Sequence, residues 1–430
     1  MHMRKVFLLI CVSILSGVWL LCRPTPAMSE GSVSTRTRPS AAELSESIDL
    51  GARYLQQNCD INGRFVYLRH RDRYVYYGSK YNLLRHAGTM YALAGYYSCR
   101  PSQELSDLLV RAGKYLRNFI ESVPRAGPGT RAVWTFPNRL GFRRPNAQPY
   151  AKLGGSGLGL VALTAVATIT PGVVPLEELR GLGRFVLFMQ TPEGRFYSKF
   201  YAHRGYDTEW ISLYYPGEAC LGLLMLHDLD PDPRWLEGAA RGLGYLARMR
   251  KGFAKVPADH WALIATEKLL PKLAESAEPP VGRQDLIDHA TQILAVMLAQ
   301  QKARWWDPEA IGSFLGDART TPTATRLEGI LAALRFLGDD KSGLRVRLER
   351  ASDLGIGFLV RNQIREGLLR GGIPRAARYL RKTKKNKPFN SRVGEVRIDY
   401  VQHALSAMMD YQAYVYGQAG VSPQDSRITD

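Results

Sequence analysis

Two histidines in this chain stand at the same distance from a residue that could open a helix: His86 follows Asn82 by four positions, and His403 follows Asp399 by four. That spacing sets each imidazole about one turn inside a helix. An imidazole there can pass a proton near neutral pH, and two at matching depth on adjoining helices would face one pocket. A second concentration of chemistry is Tyr206-Asp207-Thr208-Glu209-Trp210, which runs into Leu213-Tyr214-Tyr215-Pro216-Gly217-Glu218. Its carboxylates can act as acid and base, and its rings offer a surface on which a sugar can stack. The same stretch also reads as an ordinary loop whose aromatics plug a core. Asp307 and Glu309, just after Trp305-Trp306, repeat the pattern in weaker form.

The cations are harder to explain by stability alone. Arg85 and His86 fall in the first turn of the helix that Asn82 opens, and Lys152 and Arg326 mark two further helix starts. Positive charge there is disfavoured by about 0.3–1 kcal/mol. Breaking one local rule several times points to an anion-binding mouth, unless each cation is neutralised by a neighbouring cap. Caps are plentiful. Thr325-Arg326-Leu327-Glu328 has the capping-box form, and Asp399-Tyr400-Val401-Gln402 is close to it. Asp259 suits the cap of a helix beginning at His260, and Glu218 suits the first turn after Pro216.

These residues are scattered, so helices must gather them. Leu105, Leu108, Leu109, Ala112, Leu116 and Phe119 recur at helical spacing, with Arg111, Lys114 and Arg117 between them, which predicts a one-sided amphipathic helix. Leu153 to Ile169 is apolar or small all round and must be buried on most faces. The two kinds alternate. Amphipathic helices start near Ala41, Ser102, Pro175, Pro233, Arg283 and Ser342, and apolar ones near Asn82, Lys152, Pro216, Asp259, Thr325 and Asp399. Strict alternation implies a repeat architecture with the apolar helices inside.

A shorter repeat follows the outer helices: Gln190-Thr-Pro-Glu-Gly194-Arg-Phe196 recurs as Asn62-Gly63-Arg64-Phe65 and, in part, as Gln363-Ile-Arg-Glu-Gly367-Leu. It resembles the Q-x-x-x-G-x-[F/W] repeats of terpenoid-cyclase-type toroids, and residues 40–416 resemble the (α/α)6 toroids that include the six-hairpin glycosidases. The resemblance implies an all-α (α/α)6 toroid of six helical hairpins, with a funnel lined by the loops entering the inner helices. It carries no activity by itself. The D-x-D-D acid of squalene-type cyclases is absent, which argues against that chemistry. Tyr215-Pro216 and Asp399-Tyr400…His403 bear a much weaker similarity to patches of glucuronyl C5-epimerases, which would make Tyr215 and Tyr400 proton-transfer groups.

Composition sets the outer limits. The 430 residues are 45% hydrophobic and 23% charged, which excludes a disordered chain or a polytopic membrane protein. The formal charge of +19 bears on partners rather than on fold. Residues 1–27, with an apolar run from Val6 to Cys22, read as a signal peptide or signal anchor; 28–39 read as a linker and 417–430 as a tail. The protein is therefore expected in the periplasm or outside the cell, with nucleic acid excluded as a partner. Cys59 and Cys99 can pair or stay unpaired, and with no CxxC or spaced Cys/His set, no metal or cofactor is expected. Eight cations and no acid lie between Arg375 and Arg392, either as a solvated run or as a surface for a polyanion or anionic lipid.

The expected function is cleavage of an anionic glycan in a cationic funnel. Asp207 or Glu209 would work with Asp399, while Arg85, His86, Lys152, Glu218, Asp259, His260, Arg326 and Glu328 hold the substrate. The alternatives are a uronate lyase or C5-epimerase acting through Tyr215, Tyr400 and His403, and a non-catalytic toroid that binds glycan or peptide.

Overall fold

Helices apolar all round and helices apolar on one side can both be buried only in two concentric layers. That is the arrangement found in the computed structural model, which describes residues 38–72, 80–142, 147–275, 279–301 and 307–417. The outer helices are α1 (Ala41–Gln57), α3 (Gln103–Arg117), α5 (Leu176–Phe188), α7 (Pro233–Arg250), α9 (Arg283–Gln300) and α11 (Ser342–Asn362). The inner helices are α2 (Leu83–Cys99), α4 (Leu153–Ile169), α6 (Tyr215–Leu229), α8 (His260–Leu269), α10 (Thr320–Phe336) and α12 (Ile398–Tyr416). Each inner helix packs on the next, and α12 packs back on α2, so the ring closes. This is an (α/α)6 toroid.

The glutamine repeat stitches the outer layer. Gln190 Nε2, beyond α5, donates to Gly238 O in α7 at 2.9 Å, and Gln301 Nε2, beyond α9, donates to Ala351 O in α11 at 3.0 Å. Gln363 Nε2, beyond α11, donates to Ser47 O in α1 at 2.9 Å, sealing the last hairpin to the first. Gly194 turns with φ +97° where a Cβ would lie 2.3 Å from Arg241 O of α7. In the last repeat that role belongs to Gly371, with φ +87° and a Cβ position 2.0 Å from Leu50 O, and not to the expected Gly367, which has nothing within 4 Å.

Short strands, which the sequence reading did not anticipate, ring the end where the inner helices begin. They are β1 (Leu68–His70), β2 (Ile120–Ser122), β3 (Arg131–Thr135), β4 (Tyr150–Lys152), β5 (Lys199–Tyr201), β6 (Gly205–Tyr206) and β7 (Glu395–Arg397). β2 to β6 form one antiparallel sheet in sequence order, and β1 pairs with β7.

Two expectations need correction. The fifth inner helix starts at Thr320, so Thr325 is no cap; its hydroxyl turns back to Pro322 O. The N-cap of α12 is Arg397, which places Asp399 inside the first turn as a carboxylate held by arginines rather than a capping group. Of the alternatives left open for Cys59 and Cys99, the structure has no disulfide between them. The leader at 1–27, the linker up to residue 37, Trp305-Trp306 and the tail from 418 lie outside the described residues. No helix among the described residues is long and apolar enough to cross a membrane.

Candidate active site

Alternating connectivity puts every inner-helix N-terminus at one end of the ring, with its dipole's positive end. Three of these helices bring together His260, Glu328 and His403. His260 is the first residue of α8, held there because Asp259 caps the helix through Ala262 N at 3.2 Å. Asp259 is fully buried and bound to Arg250 at 2.8 Å, so its work is structural. Glu328, from α10, is 3% exposed. Its Oε2 lies 2.8 Å from His403 Nδ1 of α12 and 3.9 Å from His260 Nε2. The two imidazole rings are 5.5 Å apart, edge to face, and Tyr214 leans edge-on against His260 at 5.6 Å.

The two imidazoles are driven to opposite protonation states. Burial pushes His260 well below the ordinary histidine range, and the charges of His403 and Arg326 act in the same sense. Burial also works against a charged His403, but the adjacent Glu328 carboxylate outweighs it and raises His403. One ring is held toward its neutral form, with neither nitrogen hydrogen-bonded; the other is held toward its charged form by Glu328. The ligand atoms of His260, Glu328 and His403 also lie within 4.8 Å of one another, close enough to hold a metal ion. The 2.8 Å contact between Glu328 and His403 is also of hydrogen-bond length.

His86 does not join this set. Its ring is fully buried, hydrogen-bonded to the Tyr81 hydroxyl at 2.8 Å and to Ala112 O of the outer helix α3 at 3.0 Å. Burial lowers it to about 4, so it is a neutral core histidine. The matching spacing misled because the two helices start differently. His86 is four residues past its N-cap and His403 six past Arg397, and two residues turn a helix by about 200°.

Cations flank the pair. Arg85 binds Asp399 at 3.1 Å and also Tyr67, while Arg397 binds Asp399 at 2.9 Å. Burial raises the Asp399 carboxyl, and Arg85 and Arg397 outweigh that and hold it below the ordinary carboxylate range. The neutralised-cation alternative therefore describes Arg85. Arg326 is seven residues into α10 rather than at its start, and its guanidinium bonds Gln300 Oε1 at 2.6 Å and Pro322 O at 2.7 Å.

The other candidates are placed as follows. Asp207 accepts from Trp210 N at 3.2 Å and Glu209 N at 3.3 Å, and it pairs with Lys199 at 3.2 Å. Partial burial raises its carboxyl, but those donors outweigh it and hold it low. Glu209 is exposed on the same turn. Tyr400 donates to Glu395 Oε2 at 3.3 Å, and burial pushes its phenol up to about 12. Tyr215 packs edge-on against Trp210 at 5.4 Å, and burial raises it too. Glu218 is 3% exposed with no partner for Oε2, and burial, with Asp259 adding to it, lifts its carboxyl to about 8. Lys152 is the half-buried N-cap residue of α4, lowered first by burial and then by Lys199 and Arg85. Lys199 and Arg397 escaped the sequence reading; only their closeness to residues already singled out pointed to them.

No protein-family model and no curated protein matches the chain. Among solved structures, it is similar to a cellobiose 2-epimerase from Bacillus thermoamylovorans, with a TM-score of 0.58 and 11% identity over 87% of this chain and 99% of that one. It is similar to an unsaturated glucuronyl hydrolase specific for heparin, with a TM-score of 0.57 and 11% identity over 87% and 98%. It is also similar to a GH76 α-mannanase from Bacteroides thetaiotaomicron, with a TM-score of 0.54 and 13% identity over 90% and 99%. These likenesses establish the toroid fold.

Proposed function

We propose that the protein is a carbohydrate-active enzyme that moves a proton at a sugar carbon adjacent to a carbonyl group. Neutral His260 takes the proton from that carbon to leave an enediolate. For an epimer, charged His403 gives its proton to the opposite face of the same carbon. For an isomer, His403 protonates the enediolate oxygen, His260 returns its proton to the neighbouring carbon, and His403 takes back a hydroxyl proton as the new carbonyl forms. The product is an epimer or an isomer, and no oxidant is required. The observation carrying this reading is the pair of imidazoles 5.5 Å apart, His260 buried and His403 partly buried, with Glu328 against His403. Titrating groups pushed apart by their surroundings divide acid from base. Similarity in fold to a sugar epimerase agrees with it. The apolar leader supports export.

Hydrolysis is the second reading, favoured by Glu218, whose buried carboxyl keeps its proton at neutral pH as a general acid must. Incubation with mono- and oligosaccharides separates the readings. A new epimer or ketose at constant reducing-end number supports proton transfer, new reducing ends support hydrolysis, and tight binding without turnover supports a binding protein.

A further inference from the structure

We propose that Lys152 and Lys199 form the receptor for an anionic substituent of the sugar, a carboxylate or a phosphate, at the N-terminus of α4. The inference rests on the carbohydrate reading above and specifies its substrate class.

The first ground is the strand register. Lys152 of β4 stands directly opposite Lys199 of β5 in an antiparallel ladder. Like charges at opposed positions destabilise a sheet, so the pairing needs a reason beyond folding. Both ammonium groups reach the ring of Tyr150, each 5.6 Å from its centre. Residues 150, 152 and 199 share one face of the sheet, so the two charges converge on the same side.

The second ground is the charge balance. Lys199 is paired with Asp207 at 3.2 Å and lies over the Trp210 ring at 4.8 Å. Lys152 has no ion-pair partner among the described residues. The carboxyl whose field it feels, Glu218, is buried and holds its proton at neutral pH. A half-buried ammonium beside a second lysine with no anion facing it leaves a positive charge for a ligand to neutralise.

The third ground is the pair of neutral donors around it. Leu153 N at the start of α4 donates to Ser198 O at 3.1 Å, but no side chain caps the helix and Ser156 is occupied in accepting from Val133 N at 3.1 Å, so the rest of the first turn keeps its positive dipole end for a ligand. Glu218 Oε2 is buried without a partner and lies 2.1 Å from where a side chain on Gly154 would begin, so only glycine lets it reach this turn. A protonated carboxyl there can donate to an anion. Trp210, 40% exposed, supplies a ring face for the sugar.

The test is equilibrium binding to the full chain carrying His260→Asn, which separates recognition from turnover. Tryptophan fluorescence or calorimetry would compare glucuronate, glucose 6-phosphate and glucose in 20 and 500 mM NaCl. At least one charged sugar should bind tenfold or more tighter than glucose at low salt, with the advantage shrinking at high salt. Tighter glucuronate assigns a carboxylate, and tighter glucose 6-phosphate a phosphate. Lys152→Met should abolish the preference while leaving glucose affinity unchanged, and Lys152→Arg should restore most of it. Equal affinities for the three sugars, no binding of either charged sugar, or a preference that survives Lys152→Met would overturn the proposal. None of these results depends on the histidines' chemistry, which is judged by turnover alone.

Discussion

Replacing Glu328 by Gln keeps the side chain's size and removes its charge, which makes the His403 contact accountable in energy. In the wild-type protein the Glu328 carboxyl lies 2.8 Å from the His403 imidazole; burial raises that carboxyl against the lowering effect of His403, while Glu328 raises His403. A hydrogen bond to a charged group contributes about 1.5–3 kcal/mol, against about 1 kcal/mol for a neutral one. The pH dependence follows from the direction of the shift. Glu328 raises the proton affinity of His403 in the folded state, so the added stability is full below the ordinary histidine value and fades as pH rises through the folded one. Glu328→Gln should therefore lose about 1–2 kcal/mol more at pH 6 than at pH 9. Urea unfolding at both pH values, read from midpoints at unchanged slope, measures the difference. An equal loss at the two pH values would mean that no charge sits on His403, and the division of acid from base would fail with it.

Asp399→Asn leaves Arg85 and Arg397 facing a neutral amide and should cost about 2–3 kcal/mol at pH 7. Because Asp399 is held below the ordinary carboxylate range, that cost should shrink as acid titrates the wild type, which unfolding at pH 7 and pH 3 would reveal. Gly371→Ala drives a Cβ to 2.0 Å from Leu50 O and should lose several times more stability than Gly172→Ala. Gly172 has a similar positive φ with open space around it, so its cost should be about 1–2 kcal/mol in a thermal melt. Gln363→Ala should cost about 1–3 kcal/mol and speed amide exchange along α1, since its side chain joins α11 to α1.

The ring was legible because burial writes itself into helices. One-sided and all-round apolar patterns alternate along the chain, and eleven of the twelve anticipated starts lie within a few residues of those observed, Thr325 being the exception. That start was misread because Thr325 to Glu328 imitates a capping box inside a helix that Arg319 caps without a side-chain bond. The strands were missed because two to five residues are too few for a twofold period to register. The glutamine repeat was only partly visible because its loops differ in length: Gln190 reaches Gly194 four residues on, whereas Gln301 reaches Gly312 eleven residues on. In the site, His260, Glu328 and His403 were each visible separately. Their association was not, since it depends on rotation about three helix axes, and a two-residue error in one helix start sends a side chain to the opposite face.

The most direct measurement is deuterium uptake from D2O into the sugar, followed by NMR across a panel of neutral and acidic sugars. One carbon adjacent to the carbonyl should exchange with the wild-type protein, and His260→Asn and His403→Asn should each slow that exchange by about 10²–10⁴-fold. Exchange should fall at low pH, when His260 takes up a proton, and at high pH, when His403 loses its own. A sugar converted by the wild type without solvent deuterium, or at an undiminished rate by both variants, would contradict the account.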